Sequence, residues 1–210
     1  MSDQLSGTDS GYTTDEMMTV AAARELEDGD SVVSVSEIFN YWLQAGRVNV
    51  GFLGGAQIDR YGTINTVIGP YDEPEVRLPG AGGAPEIAAS AKEVMMILRQ
   101  RTRSFVERLD YVTSVGHRHG GDSRAELGYP GAGPTTVMPD LGVLRPDPVT
   151  KELTLVALHP GATVEGAREA TGWELRVAEE VATTEPPSHE ELEVLRELHA
   201  RTAAARAESS

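Results

Sequence analysis

The residues with the most chemical potential in this sequence are glycines and amides, not thiols, paired acids or nucleophilic serines. Gly80-Ala81-Gly82-Gly83-Ala84 follows a short apolar run and opens a stretch rich in alanine. Glycines at such a place permit positive φ and let a ligand approach the backbone. Amides pointing from a loop into a helix start gather an anion, and a phosphate or a thioester oxyanion would suit them. The pattern is not the GxGxxG of dinucleotide binding, and no P-loop lysine follows it. Taken alone, a tight turn that needs glycine explains it more simply. The second candidate is Gly51-Phe52-Leu53-Gly54-Gly55-Ala56-Gln57-Ile58-Asp59. Gly54 and Gly55 end an apolar run and would let a substrate or another backbone come close, and Gln57 offers an amide for hydrogen bonding. A strand closing in a glycine turn is again the simpler reading.

Other chemistries are excluded or disfavoured. The chain has no cysteine, so disulfides, zinc–thiolate sites and cysteine nucleophiles are out. No GxSxG elbow occurs. His117 and His119 share a glycine-rich loop with no carboxylate or third histidine to complete a metal site, and read as solvated loop residues. His159, ahead of Pro160-Gly161, reads as a structural hydrogen-bonding residue; His189 and His199 read as helix surface. Arg99, Arg101 and Arg103 alternate along the chain; they could meet phosphates, but such alternation more simply marks a solvated strand edge.

These residues need elements to hold them. Residues 1–12 read as a disordered acidic tail. Thr13 and Glu16 form a capping box for a helix running toward Gly29. Ser31–Val35 is short and apolar, and short strands are expected at 48–53 and 63–68, joined by the turn Asp59-Arg60-Tyr61-Gly62. A short buried helix is expected over 37–43, closed by Gly46, and another over 86–91. Val94–Leu98 reads as a strongly apolar strand, with a further strand pair near 105–106 and 111–115. After a long loop over 116–136, strands return at 136–138, 142–145 and 153–158. Asp147-Pro148-Val149-Thr150-Lys151 makes the last two a hairpin. Thr163 caps a helix through Ala170, and Ser188 with Glu191 caps a final one, with Leu192, Leu195, Leu198 and His199 on one stripe. The organisation is a tail at 1–12, one α/β domain at 13–186 and a C-terminal helix at 187–210.

Composition bounds the function. At 210 residues the chain holds one substantial domain. Asp and Glu total 33 against 18 Lys and Arg, a formal charge of −15, which repels nucleic acid and anionic membranes. The only lysines are Lys92 and Lys151. A surface suited to a high-salt cytoplasm and an ordinary acidic protein from a GC-rich genome are equally good accounts of this. No apolar run is long enough to span a bilayer, and no export signal opens the chain, so a cytoplasmic location is expected.

Taken together, several blocks resemble the beta subunits of the class I coenzyme A transferases, of glutaconate and 3-oxoacid type. They are Val35-Ser36-Glu37-Ile38-Phe39-Asn40-Tyr41-Trp42-Leu43-Gln44, then Gly51 to Asp59, then Leu78 to Ala84. His159-Pro160-Gly161-Ala162-Thr163-Val164-Glu165 follows with Thr171-Gly172-Trp173. The resemblance implies an open, mostly parallel sheet flanked by helices, and an alpha-type partner subunit. It implies acyl-CoA and carboxylic acids as substrates, with coenzyme A itself a substrate and no other cofactor or metal. Oxyanion or CoA contacts then fall to Gly80, Ala81, Gly82, Gly83, Ala84, Gly54, Gly55 and Gln57. In the family a glutamate in a Glu-Ser-Gly-like motif takes the acyl group and then carries CoA as a thioester. This chain passes from Glu27-Asp28-Gly29-Asp30 straight to Ser31-Val32-Val33, and Glu-Ser-Gly occurs nowhere in it. The resemblance therefore implies that one strand–helix segment is missing, and no catalytic residue is assigned. Two further readings stay open: a ring-cleaving hydrolase subunit of the same family, or a non-catalytic subunit that binds its partner.

Overall fold

The computed structural model describes residues 11–27, 32–33, 42–70 and 72–208. The expected tail therefore lies outside the described residues apart from Gly11 and Tyr12. The expected helix over 37–43 does too, apart from Trp42 and Leu43.

Helix α1 (Thr14–Ala23) starts on the expected capping box: the Thr13 hydroxyl accepts from the Glu16 N–H, and the Glu16 carboxylate accepts from the Thr13 N–H. Then come β1 (Val32–Val33), β2 (Val50–Leu53), β3 (Gln57–Ile58), β4 (Ile64–Asn65), β5 (Val67–Ile68) and β6 (Val76–Arg77). Helix α2 (Ala84–Ser90) leads into β7 (Glu93–Ile97). The second half holds β8 (Pro134–Met138), β9 (Gly142–Pro146), β10 (Leu153–Leu158), α3 (Val164–Glu169), β11 (Arg176–Thr183) and α4 (His189–Glu208).

The main sheet has seven strands in the order β1-β2-β7-β8-β9-β10-β11. β1, β2, β7 and β8 run parallel, as do β10 and β11; β9 is antiparallel to both neighbours. β9 and β10 form the expected hairpin. Asp147 Oδ1 accepts from the N–H groups of Val149 and Thr150, and Lys151 takes φ +62° to close the turn. The central parallel strands β2, β7 and β8 are largely buried on both faces, as parallel strands usually are, while β11 at the edge is exposed or half-buried. Along β7 the side chains alternate: Met95 joins Met17, Ala21, Val50, Met138 and Val143 under α1, while Val94 and Met96 join Ile87, Ala88, Val137, Leu144 and Leu155 on the α2 side.

Some expected elements change. The strand over 63–68 breaks at Thr66, because the Asn65 side chain accepts from the Val67 N–H at 2.8 Å and donates to the Val67 carbonyl. That local pairing replaces a ladder. The segments near 105 and 111–115 make only single bridges, Ile58–Phe105 and Ile64–Ser114. Strand β11 is an addition. On α4 only Leu192 of the expected stripe is buried and Leu198 is 54% exposed. Two ion pairs instead clasp α4 to α1 and its flank, Arg24–Glu191 and Arg196–Glu16, both at 2.6 Å.

Candidate functional site

The parallel strands end along one edge of the sheet, and four chain segments meet there. β2 runs into Gly54-Gly55, β7 into Leu98–Arg101, β8 into Pro139-Asp140 and β10 into His159-Pro160-Gly161. In open α/β sheets this carboxyl edge is where ligands bind. Helix α2 brings its start to the same edge. Directly after it, the Lys92 and Glu93 N–H groups bond to the carbonyls of Val48 and Asn49, so its end lies at the beginning of β2. Ile87 packs on Gly51, where an added Cβ would lie 2.4 Å from Ile87 Cγ2.

Gly54 is exposed, beside the end of β7: a Cβ there would lie 3.4 Å from the Ile97 carbonyl. Gly55 is crowded, with the carbonyls of Gln57 and Asn65 at 3.1 and 3.2 Å from such a Cβ. Gln57 is buried and its amide is engaged inside the protein. Its Oε1 accepts from Asn65 Nδ2 at 2.8 Å and the Asp110 N–H at 3.1 Å, and its Nε2 donates to Asp110 Oδ2 at 3.1 Å. Asp110 Oδ2 also accepts from the Gly69 N–H. Gln57 thus ties the β3–β4 hairpin to the 107–114 segment.

The glycine loop divides in two. The N–H groups of Gly83 and Ala84 bond to the Gly80 carbonyl at 3.1 and 2.9 Å, which closes a turn and takes both donors out of play. Gly83 is half-buried and Ala84 is buried, while Gly80, Ala81 and Gly82 are exposed. Among the described residues their three amides have no backbone acceptor. Gly80 has φ +114°, a conformation for which glycine is suited. Pro85 sits in the first turn of α2 and removes a further donor. The donors the loop can present are those of Gly80, Ala81 and Gly82.

The middle of the edge holds a polar cluster of which sequence reasoning saw only the arginines. The Asp140 side chain is wholly buried. Its Oδ1 accepts from the Gln100 N–H at 2.7 Å, and its Oδ2 meets Arg101 Nη1 at 2.9 Å and Arg99 Nη1 at 3.7 Å. Gln100 Nε2 reaches on to Thr171 Oγ1 at 2.9 Å and the Ala167 carbonyl at 3.1 Å. Thr171, Gly172 and Trp173 are therefore a structural block: the Gly172 N–H bonds to the Phe105 carbonyl, and Trp173 stacks on Phe105 at 5.7 Å.

His159 has the structural role its sequence context suggests. Its Nε2 meets the Pro139 carbonyl at 3.1 Å and its Nδ1 the Thr184 hydroxyl at 2.8 Å, which fits a neutral ring protonated on Nε2. Burial pushes its pKa below the ordinary 6.5. His117 differs from expectation: it is buried, bonded through Nε2 to the Pro134 carbonyl at 2.8 Å, and burial lowers its pKa as well. His119, His189 and His199 are exposed. Among the described residues no three His, Asp or Glu side chains come together as metal ligands, and no helix is long and apolar enough to cross a membrane.

Two surface clefts lie away from the 54–55 and 80–84 glycines. One, about 650 Å³, is lined by Gly11, Leu192, Arg196 and neighbours on α4; the other, about 440 Å³, by Asp59, Tyr61, Arg118, His119 and neighbours. Burial raises the Asp59 carboxyl, whose Oδ1 accepts from the Tyr61 and Thr63 N–H groups and shapes the β3–β4 turn.

Comparison with known proteins agrees with the fold. The family model "Coenzyme A transferase" matches residues 31–170. The chain is 46% identical to the B-type subunit of the 3-oxoadipate CoA-transferase of Pseudomonas knackmussii, over 93% of this chain and 96% of that one. That alignment spans 251 positions, more than the 210 residues here, so the relative has residues without a counterpart in this chain. The cholesterol ring-cleaving hydrolase IpdB subunit of Mycobacterium tuberculosis is 27% identical over 69% of this chain and 57% of its own length. Among solved structures, glutaconate coenzyme A-transferase from Acidaminococcus fermentans superposes with a TM-score of 0.77 at 28% identity, over 90% of this chain and 95% of that one. The open, mostly parallel sheet, the ordered motif blocks along the chain and these matches agree: the chain belongs to the coenzyme A transferase family, and within it to the B-type subunits.

Proposed function

We propose that this chain works with an A-type subunit to move coenzyme A between carboxylic acids, with 3-oxoadipate the first acceptor to test and an acyl-CoA bound along the carboxyl edge of the sheet. The observation that carries the reading is the 46% identity, along nearly the whole of both chains, to the B-type subunit of a 3-oxoadipate CoA-transferase. The edge is consistent with it. Gly54 is bare of a side chain beside the end of β7, and Gly80, Ala81 and Gly82 offer amides suited to a developing thioester oxyanion. The chemistry needs a carboxylate to attack the thioester carbonyl, expelling the CoA thiolate and leaving an anhydride; the thiolate then attacks the other carbonyl.

One observation favours a second reading. Glu-Ser-Gly is absent from the sequence, and the alignment with the 3-oxoadipate enzyme includes positions with no counterpart here. On that reading the chain binds its partner and acyl-CoA without supplying the attacking carboxylate, as a hydrolase-type or non-catalytic subunit. Co-purification with an A-type subunit, followed by a CoA-exchange assay between an acyl-CoA donor and 3-oxoadipate, separates the two. Borohydride or hydroxylamine is added during turnover to trap an enzyme-bound acyl group. Exchange supports transfer. With neither exchange nor a trapped adduct, acyl-CoA hydrolysis selects the hydrolase-type form of the second reading, and co-purification without any turnover selects the non-catalytic form.

A further inference from the structure

We propose that Arg99 and Arg101 form a two-pronged phosphate site for the nucleotide end of coenzyme A, an inference that rests on the acyl-CoA reading above. Their arrangement begins with Asp140. A carboxylate with no exposed side-chain surface keeps its charge only when paired and hydrogen-bonded. Asp140 meets that need with the Gln100 N–H on one oxygen and the two guanidinium groups on the other. Arg101 is fixed twice by Nη1, to Asp140 at 2.9 Å and to the Gln100 carbonyl at 2.6 Å. Its Nε and Nη2 have no acceptor among the described residues. Arg99 is held more loosely, with Nη2 on Asp15 of α1 at 2.7 Å.

Both guanidinium groups are thus ordered from inside while facing out: their side chains are 45% and 36% exposed. Asp15 is 74% exposed, and an ion pair so open to water contributes little, so a phosphate could take its place at small cost. Arg103, two residues further along the chain, is exposed and adds a third positive charge nearby. Among the described residues, Asp15 and Asp140 are the only carboxylates that pair with Arg99 and Arg101. With Arg103, three arginines stand against two carboxylates here, a local excess of one positive charge in a chain of net charge −15. Planar guanidinium groups suit phosphate oxygens. The placement also fits one ligand. β2 and β7 are neighbours, and the register that pairs Leu53 with Met96 sets Gly54 beside Ile97, so Arg99 and Arg101 follow two and four residues beyond that point on the same edge. A thioester at the glycines would leave the phosphates free to reach the arginines.

The test is calorimetric binding of coenzyme A, dephospho-coenzyme A and pantetheine to the chain co-purified with an A-type subunit. Arg99→Gln leaves Arg101 on Asp140, and thermal melts check that the fold is intact; Arg101→Lys keeps a charge there. Arg99→Gln is expected to weaken coenzyme A roughly tenfold, with the two variants combined losing more, and to flatten the salt dependence, while pantetheine binding is unchanged. Equal coenzyme A affinity in wild type and variants overturns the proposal, as does an equal loss for pantetheine or an effect confined to the carboxylic acid. Wild type binding no form of coenzyme A at all would instead remove the acyl-CoA reading beneath it.

Discussion

His159 and His117 are buried, bonded to backbone carbonyls and held below their ordinary pKa by desolvation. The unfolded chain takes up protons near pH 6.5 that the folded chain refuses. Stability therefore falls as pH drops through 6.5, and is full above it. Thermal melts from pH 7.5 to 5.5 should show a falling midpoint, and His159→Gln should make the fall shallower; a flat wild-type profile would contradict this. The two histidines show what a sequence gives at this scale. Bonds between near neighbours were legible: Thr13 with Glu16, Ser188 with Glu191, and Thr163 with the Gly166 N–H. Asp140 was not, because its partners lie about forty residues back along the chain, on a different strand end. His117 looked solvated for the same reason: its partner Pro134 starts a strand beyond the loop. Gln57 read as a ligand contact, and only the fold reveals Asn65 and Asp110 using its amide.

At the scale of elements, apolar runs located most strands, since a strand buried on both faces must be apolar throughout. β11 was missed because its residues are mostly exposed or half-buried and read as polar chain. Helix α2 sits against β2 through Gly51, and Gly51→Ala should lower stability by about 1–3 kcal/mol, since the new methyl meets Ile87 and Ala91. Chemical denaturation measures it; an unchanged midpoint would mean that α2 can shift. Helix α4 is held by charge more than by apolar contact. Hydrogen bonding from Arg196 holds the Glu16 carboxyl at about 2, and hydrogen bonding from Arg24 does the same for Glu191, against an ordinary 4.5. These pairs add stability above pH 4.5 that is lost as pH falls toward 2. Arg196→Ala should speed hydrogen exchange along α4 at pH 7 while the β7 and β8 amides stay protected. Unaltered exchange in α4 would show that Leu192 alone holds it.

For the whole molecule, family and architecture were readable from motif order, while the working surface was not. The edge is assembled from segments between Gly54 and His159 that only the sheet order brings side by side. The charge of −15 gives a global expectation: raising salt from about 0.05 to about 1 M should raise the melting temperature by screening self-repulsion. A fall would show that surface ion pairs such as Arg24–Glu191 outweigh the net charge. The central claim is that the carboxyl edge, and not either surface cleft, receives coenzyme A. Hydrogen exchange of the chain with its A-type partner, with and without coenzyme A, addresses it most directly. Protection is expected at 54–55, 80–82 and 98–101; protection confined to the 59–63 and 118–119 segments would contradict the claim.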